Sequence, residues 1–301
     1  MSFLAVTADD FGLAPEVNEA VEIAHRKGIL SAASLMVTGP CAADAVRRAR
    51  AMPRLRVGIH LAVTDARPTL PPQAIPALLG REDRLSADLA ALGVWLALSG
   101  SARRQMRAEI QAQFSAFRAT GLPLDHVTVH QHFHLHPLVA TMVIEIGKRY
   151  GALALRTPCE PRRILRDVDQ LAVHERRLVE SACAALLKAK AERAGWLTPD
   201  GVFGLRRSGR ITAERLSRLI ARIPPGFWEI YAHPATRDDF AGGAPGYRYA
   251  EELAALIAPE ALAALRDAGH GVGGYEDADR RPRGPFAASM PSVAVRGANA
   301  G

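Results

Sequence analysis

The spacing of apolar positions changes period repeatedly along the chain. The run SFLAVT (2–7) is short and continuously apolar, the pattern of a buried strand. In Glu16–Lys27 the apolar residues Val17, Ala20, Val21 and Ala24 share one helical face, and Gly28 stops the helix. Ser31–Thr38 predicts a second strand, Ala42–Ala51 a helix and Arg56–Val63 a third strand. A proline-rich loop at Pro68–Pro76 precedes an Ala87–Leu98 segment that holds the apolar run LAALGVWLAL (89–98). Ala102–Thr120 predicts a helix closed by Gly121, His126–His130 a strand, Pro137–Tyr150 a helix and Ala152–Thr157 a short strand. Helices are expected near His174–Arg193 and Thr212–Ile223, a strand at Phe227–Ala232, and further helices within Arg248–Ala268.

Strands that alternate with helices predict a parallel α/β fold. About seven or eight such units suit a (β/α) barrel better than an open sheet. Residues 1–283 are read as one barrel domain and residues 284–301 as a loose tail. In a barrel of this kind, function sits where the strands end at their C-terminal side.

Four strands bring ionisable residues to that rim. The first is followed by Asp9 and Asp10, the third by His60, the fourth by His130, and FWEIYA (227–232) by His233 and Pro234. Two histidines and a carboxylate are a common ligand set for a catalytic divalent ion. Adjacent aspartates point oppositely on an extended chain, but both can reach one site where the chain turns. One can then ligate metal while the other takes a proton from water.

The segment HVTVHQHFHLHP (126–137) holds five of the chain's ten histidines, all at even positions. Extended residues advance about 3.3 Å each, so His126 and His136 stand about 33 Å apart and cannot share a site. His130, at the strand mouth, is the expected ligand. His132 and His134 become candidates for substrate contact or for supporting the ligands, and His126 is expected to be structural.

Composition narrows the partners. The 301 residues are 49% hydrophobic and 23% charged, enough apolar content for a sizeable core. The net charge of +7 comes mostly from arginine, but no basic run is interleaved with aromatics, so nucleic acid is not expected as a partner. Cys41, Cys159 and Cys183 are scattered, without CxxC spacing, which fits a reducing cytoplasm. Met1–Val6 has no leader pattern. The apolar run at 89–98 is too short to span a bilayer and reads as a buried helix or a lid against something apolar.

The ordered set ADDFG (8–12), GIH (58–60), the histidine-rich strand end and EIYAHP (229–234) resembles the YdjC-like carbohydrate deacetylases over Leu4 to about Tyr275. That resemblance implies a distorted TIM-like barrel related to the polysaccharide deacetylases, and metal-dependent removal of N-acetyl groups from sugars. Carried across, it implies Asp10, His60 and His130 as metal ligands and Asp9 as general base. Many members have His-Leu-Asp-Ser-His where this chain has His126-Val127-Thr128-Val129-His130, so Thr128 stands in place of an aspartate. Within the family, HQHFHLHP (130–137), LRTPCEP (155–161) and DGVFGLRRSGRIT (200–212) are most similar to the hopanoid-biosynthesis-associated deacetylases, the HpnK subgroup. The subgroup implies an N-acetylglucosaminyl hopanoid as substrate.

The reaction expected is attack of a metal-bound water on the acetamide, with zinc favoured and magnesium the alternative. The oxyanion would rest on the metal and on N–H groups near Phe11 and Gly12. His233 is the candidate general acid, and Arg156 orients Asp9 or binds substrate. Glu229 shares a face with His233 but lies about 13 Å away, too far to pair with it. Trp95, Trp196 and Phe203 are candidates for the apolar surface a lipid-linked sugar needs. Contact with an anionic inner-membrane face and a homodimer are open partner expectations. The rivals are a deacetylase of soluble chito-oligosaccharides, a metal-dependent phosphodiesterase and a non-catalytic binding module.

Overall fold

The structure, a computed structural model, describes residues 2–169 and 178–279. Its strands are β1 (Ser2–Phe11), β2 (Ala32–Leu35), β3 (Arg56–Leu61), β4 (Val127–Val129), β5 (Gly201–Phe203), β6 (Gly226–Ala232) and β7 (Gly271–Val272). Helices α1 (Pro15–Lys27), α2 (Ala42–Arg50), α3 (Leu89–Leu98), α4 (Gly100–Ala119), α5 (Pro137–Arg149) and α6 (Arg162–Asp169) occupy the first half. Helices α7 (Leu178–Arg193), α8 (Ala213–Ile220), α9 (Tyr249–Ile257), α10 (Pro259–Ala268) and α11 (Tyr275–Asp279) follow. The 284–301 tail and the start of the 174–193 helix lie outside the described residues.

Every strand pairing is parallel, in the order β4-β3-β2-β1-β6-β5, and β7 pairs with the start of β1. Single parallel bridges, Val127 with Leu155 and Ala154 with Leu197, carry the curl onward from β4. The α/β barrel expected from the alternation is therefore present, in a curled and irregular form. Ala152–Thr157, expected as a strand, contributes only these bridges.

Burial explains the pattern. From Phe3 to Phe11 every residue of β1 is buried, so the central strand reads as one apolar run until the aspartates. On α4, Met106, Ile110, Phe114 and Phe117 sit three or four residues apart and are all buried. Each such side chain contributes about 1.5–3 kcal/mol on leaving water. Ser99 caps α4 by accepting the Ala102 N–H at 3.1 Å.

Two local features position the site. The strand expected to end at Thr7 runs on to Phe11, so Asp9 and Asp10 lie within β1. The β1–β2 register shifts between Ala8 and Phe11, and Asp10 has φ of 59°. Aspartate tolerates this left-handed conformation better than most residues, and the bulge lets two adjacent carboxylates face the same cavity. Beyond β4, Gln131 and His132 take φ of 51° and 54° in a kinked 3-10 segment, His130–Leu135. That kink ends the alternation of the histidine run.

Candidate functional site

Asp10, His60 and His130 converge. Asp10 Oδ1, His60 Nε2 and His130 Nδ1 are each 3.3 Å from the other two. They form the one metal-ligand group of its kind found among the described residues. Three donors about 2.0–2.1 Å from one tetrahedral ion stand about 3.3 Å apart. An octahedral ion at about the same distance would draw neighbouring donors to about 2.9 Å. Asp10 Oδ1 is buried and has no hydrogen-bond partner, the condition of an atom that awaits a cation. The residues therefore fit a divalent ion, and their spacing favours zinc over magnesium.

Thr128 supports this triangle. Its Oγ1 lies 2.7 Å from His60 Nδ1 and donates to the Ile59 carbonyl at 3.3 Å. With its proton committed to Ile59, the hydroxyl accepts from Nδ1–H of His60. The lone pair of Nε2 then faces Asp10 and His130.

Asp9 is held by Arg156. The guanidinium donates to Asp9 Oδ2 at 2.5 Å and to Oδ1 at 2.9 Å. It also donates to Glu229 at 2.7 and 3.0 Å. Tyr275 donates to Glu229 at 2.5 Å from the far side, and all four side chains are buried. Burial pushes the Asp9 carboxyl up, but Arg156, with His60 and His233, outweighs it and holds the group well below the usual carboxylate range. Arg156 thus orients Asp9, one of the two roles open to it. Glu229 pairs with Arg156 and not with His233.

The remaining histidines separate. His132 lines the cavity and shares a 3.0 Å hydrogen bond with the Tyr231 hydroxyl. His134 is fully buried behind it, with Nε2 donating to the Arg156 carbonyl at 2.9 Å. His126 is buried between Asp125 and Ser34 and stacks on Tyr275. Gly58 is required there, because a Cβ on it would meet the His126 ring at 2.5 Å.

His233 lines the cavity between the edges of Tyr231 and Tyr247. Its Nδ1 is 3.5 Å from Ser208 Oγ, which bonds Tyr247 at 2.8 Å. Its backbone N–H donates to Glu252 at 2.5 Å. Glu252 is a residue the sequence reading missed. It sits on the buried stripe of α9 with Tyr249, Leu253 and Leu256, where a carboxylate needs a reason. Glu160, another missed carboxylate, lines the cavity and accepts the Gly204 and Arg206 N–H groups.

The cavity around these groups measures about 1040 Å³. Its apolar wall is built by Leu13, Met36, Leu89, Leu135 and Leu205. Three expectations for this wall fail. Trp196 is buried against Gly147, and Phe203 is buried and stacked on Trp228. Trp95 is 47% exposed on α3, outside the cavity lining. Hydrophobicity alone cannot separate core from rim, and here the first two went to the core. The expected oxyanion donor at Gly12 is also engaged, since its N–H donates to Asn18 at 2.8 Å.

Three kinds of similarity match this geometry. The family profile described as YdjC-like protein matches residues 3–267. A carbohydrate deacetylase of Geobacillus stearothermophilus is 30% identical over 270 residues, covering 89% of this chain and 94% of that protein. A carbohydrate deacetylase of Brevibacillus brevis is 35% identical over 147 residues, 49% of this chain and 56% of that protein. A solved structure from Enterococcus faecalis V583, described as a candidate cellobiose-phosphate cleavage protein, superposes with a TM-score of 0.72 at 23% identity. It covers 92% of this chain and 98% of that one, and establishes the fold.

Proposed function

The chain belongs to the YdjC-like protein family, and from that premise we propose that it is a carbohydrate deacetylase that removes the acetyl group from an N-acetylated amino sugar. The observation that carries this reading is the 3.3 Å triangle of Asp10, His60 and His130. These residues hold one divalent cation, zinc in preference to magnesium. When bound, such an ion polarises a carbonyl oxygen and lowers the pKa of water.

The chain's own residues do the rest. Asp9 keeps one lone pair on each oxygen free of Arg156 and accepts the proton that the attacking water loses. Its low basicity, set by Arg156, means that the proton does not stay there. His233, on the cavity wall and close enough to act electrostatically on Asp9, supplies the proton that lets the amine leave. His132 and Tyr231 pack against the reacting end of the cavity and exclude water from it.

The substrate is an amino sugar linked to a hopanoid. The motifs at 130–137, 155–161 and 200–212 and the leucine- and methionine-lined wall support this choice, because aliphatic side chains suit a hydrocarbon group attached to the sugar. A soluble chito-oligosaccharide is the second reading, in line with relatives described as carbohydrate deacetylases. Acetate release from N-acetylglucosaminyl hopanoid and from diacetylchitobiose, each with added zinc, separates them. Release from diacetylchitobiose alone removes the lipid-linked substrate, and release from neither removes the deacetylase.

A further inference from the structure

Helix α3, LAALGVWLAL, carries no polar side chain at all. Its inner face, Leu92, Gly93 and Leu96, is buried against the fold. Its outer face is equally apolar: Val94 is 61% exposed, Trp95 47% and Leu98 76%. A surface helix ordinarily turns polar residues to water, so this outer face lacks a partner. Ten residues are too few to cross a bilayer but enough to lie along one, and among the described residues no helix is long and apolar enough to cross a membrane.

The charges at its C-terminal end say what the partner is. Arg103 donates to the carbonyls of Leu96 and Ala97 at 2.9 Å each, so its guanidinium is fixed at the end of α3. Arg104 lies beside it, next to Gly100. No acidic residue occurs in positions 100–107, the first two turns of α4. The acids near the other end are Asp65, Glu82, Asp83 and Asp88, all in the preceding loop, where Asp65 pairs with Arg84 and Asp88 caps α3. Exposed leucine, valine and tryptophan beside two arginines complement a surface that is apolar inside and anionic at its edge.

The same helix reaches the site. Leu89 lines the cavity, and the His136 ring, next to the segment that carries His130 and His132, lies against Gly93.

We propose that α3 docks the protein on an anionic lipid surface. Val94, Trp95 and Leu98 enter the interfacial layer, and Arg103 and Arg104 meet headgroup phosphates. For a lipid-linked substrate this deepens the function proposed above and rests on it. The docking itself does not.

Vesicle co-sedimentation tests it. The full chain is mixed with phosphatidylcholine vesicles with and without phosphatidylglycerol, beside the double variant Val94→Ser/Leu98→Ser. The wild type is expected to sediment with the anionic vesicles only, and the variant to partition at least about tenfold less. Equal partition of both proteins, equal binding to neutral vesicles, or no binding overturns the proposal. So does a wild-type dimer that the variant abolishes without any vesicle binding. Zinc content and acetate release from diacetylchitobiose are read on the same samples without vesicles. Their absence in both proteins counts against the deacetylase reading, while the vesicle result still decides on α3.

Discussion

Thr128 Oγ1 accepts the Nδ1–H of His60 at 2.7 Å. It fixes which imidazole nitrogen is free. Thr128→Val keeps the shape but removes the acceptor. Zinc affinity, measured by competition with a chelating dye, is expected to fall about 10–100-fold, with Thr128→Ser close to wild type. Equal affinity in all three proteins would mean that the hydroxyl does not set the ring.

Asp9→Asn should retain zinc and lose turnover by about 10²–10⁴-fold, because the amide cannot accept a proton. Acetate release per bound zinc is the measurement. Undiminished release would take the base role from Asp9.

Arg156 sits between two buried carboxylates, Asp9 and Glu229. Arg156→Met would leave both uncompensated, and urea unfolding is expected to show a loss of about 3–5 kcal/mol. Adding Glu229→Gln to that variant should recover part of the loss. No recovery would mean that the buried charge is not the cause.

His134 gives a pH dependence with a defined sign. Burial, more than anything, pushes its pKa down from 6.5 to about 4. The folded protein therefore holds His134 neutral while the unfolded chain can protonate it. Its stabilisation is complete above about pH 6.5 and is lost as pH falls toward about 4, to a total of about 3 kcal/mol. The depressed carboxylates Asp9 and Asp10 act below that window, since their stabilisation fades only as pH falls under about 4. Unfolding of metal-free protein followed from pH 7 to pH 4 should slope downward, and His134→Gln should make the slope shallower while leaving the part that burial of His132, held well below its ordinary value, contributes in the same window. An unchanged slope would assign it to another group.

The alternation of strand and helix, the rim position of Asp10, His60, His130 and His233, and the structural place of His126 were legible because each depends on local period and on which end of a strand a residue occupies. Other features were not. The bulge at Ala8–Phe11 depends on how β1 pairs with β2, so the strand appeared to stop at Thr7. The three-residue β5 and two-residue β7 are too short for any period to show. Trp196 and Phe203 went to the core and Trp95 to the surface, a choice that tertiary packing makes and hydrophobicity does not. Glu229 and Glu252 matter through Arg156 and the His233 backbone, partners 73 and 19 residues away. Of these, only Glu252 left a trace in the pattern, a carboxylate on an apolar helical stripe.

The most direct test is to strip the protein of metal and titrate zinc back while following acetate release from N-acetylglucosaminyl hopanoid and diacetylchitobiose, with His130→Ala in parallel. One equivalent of zinc is expected to restore release in the wild type, and His130→Ala is expected to neither hold zinc nor turn over. Full release from metal-free protein, or zinc-dependent release that His130→Ala retains, would contradict the assignment of the Asp10, His60 and His130 triangle as the reacting centre.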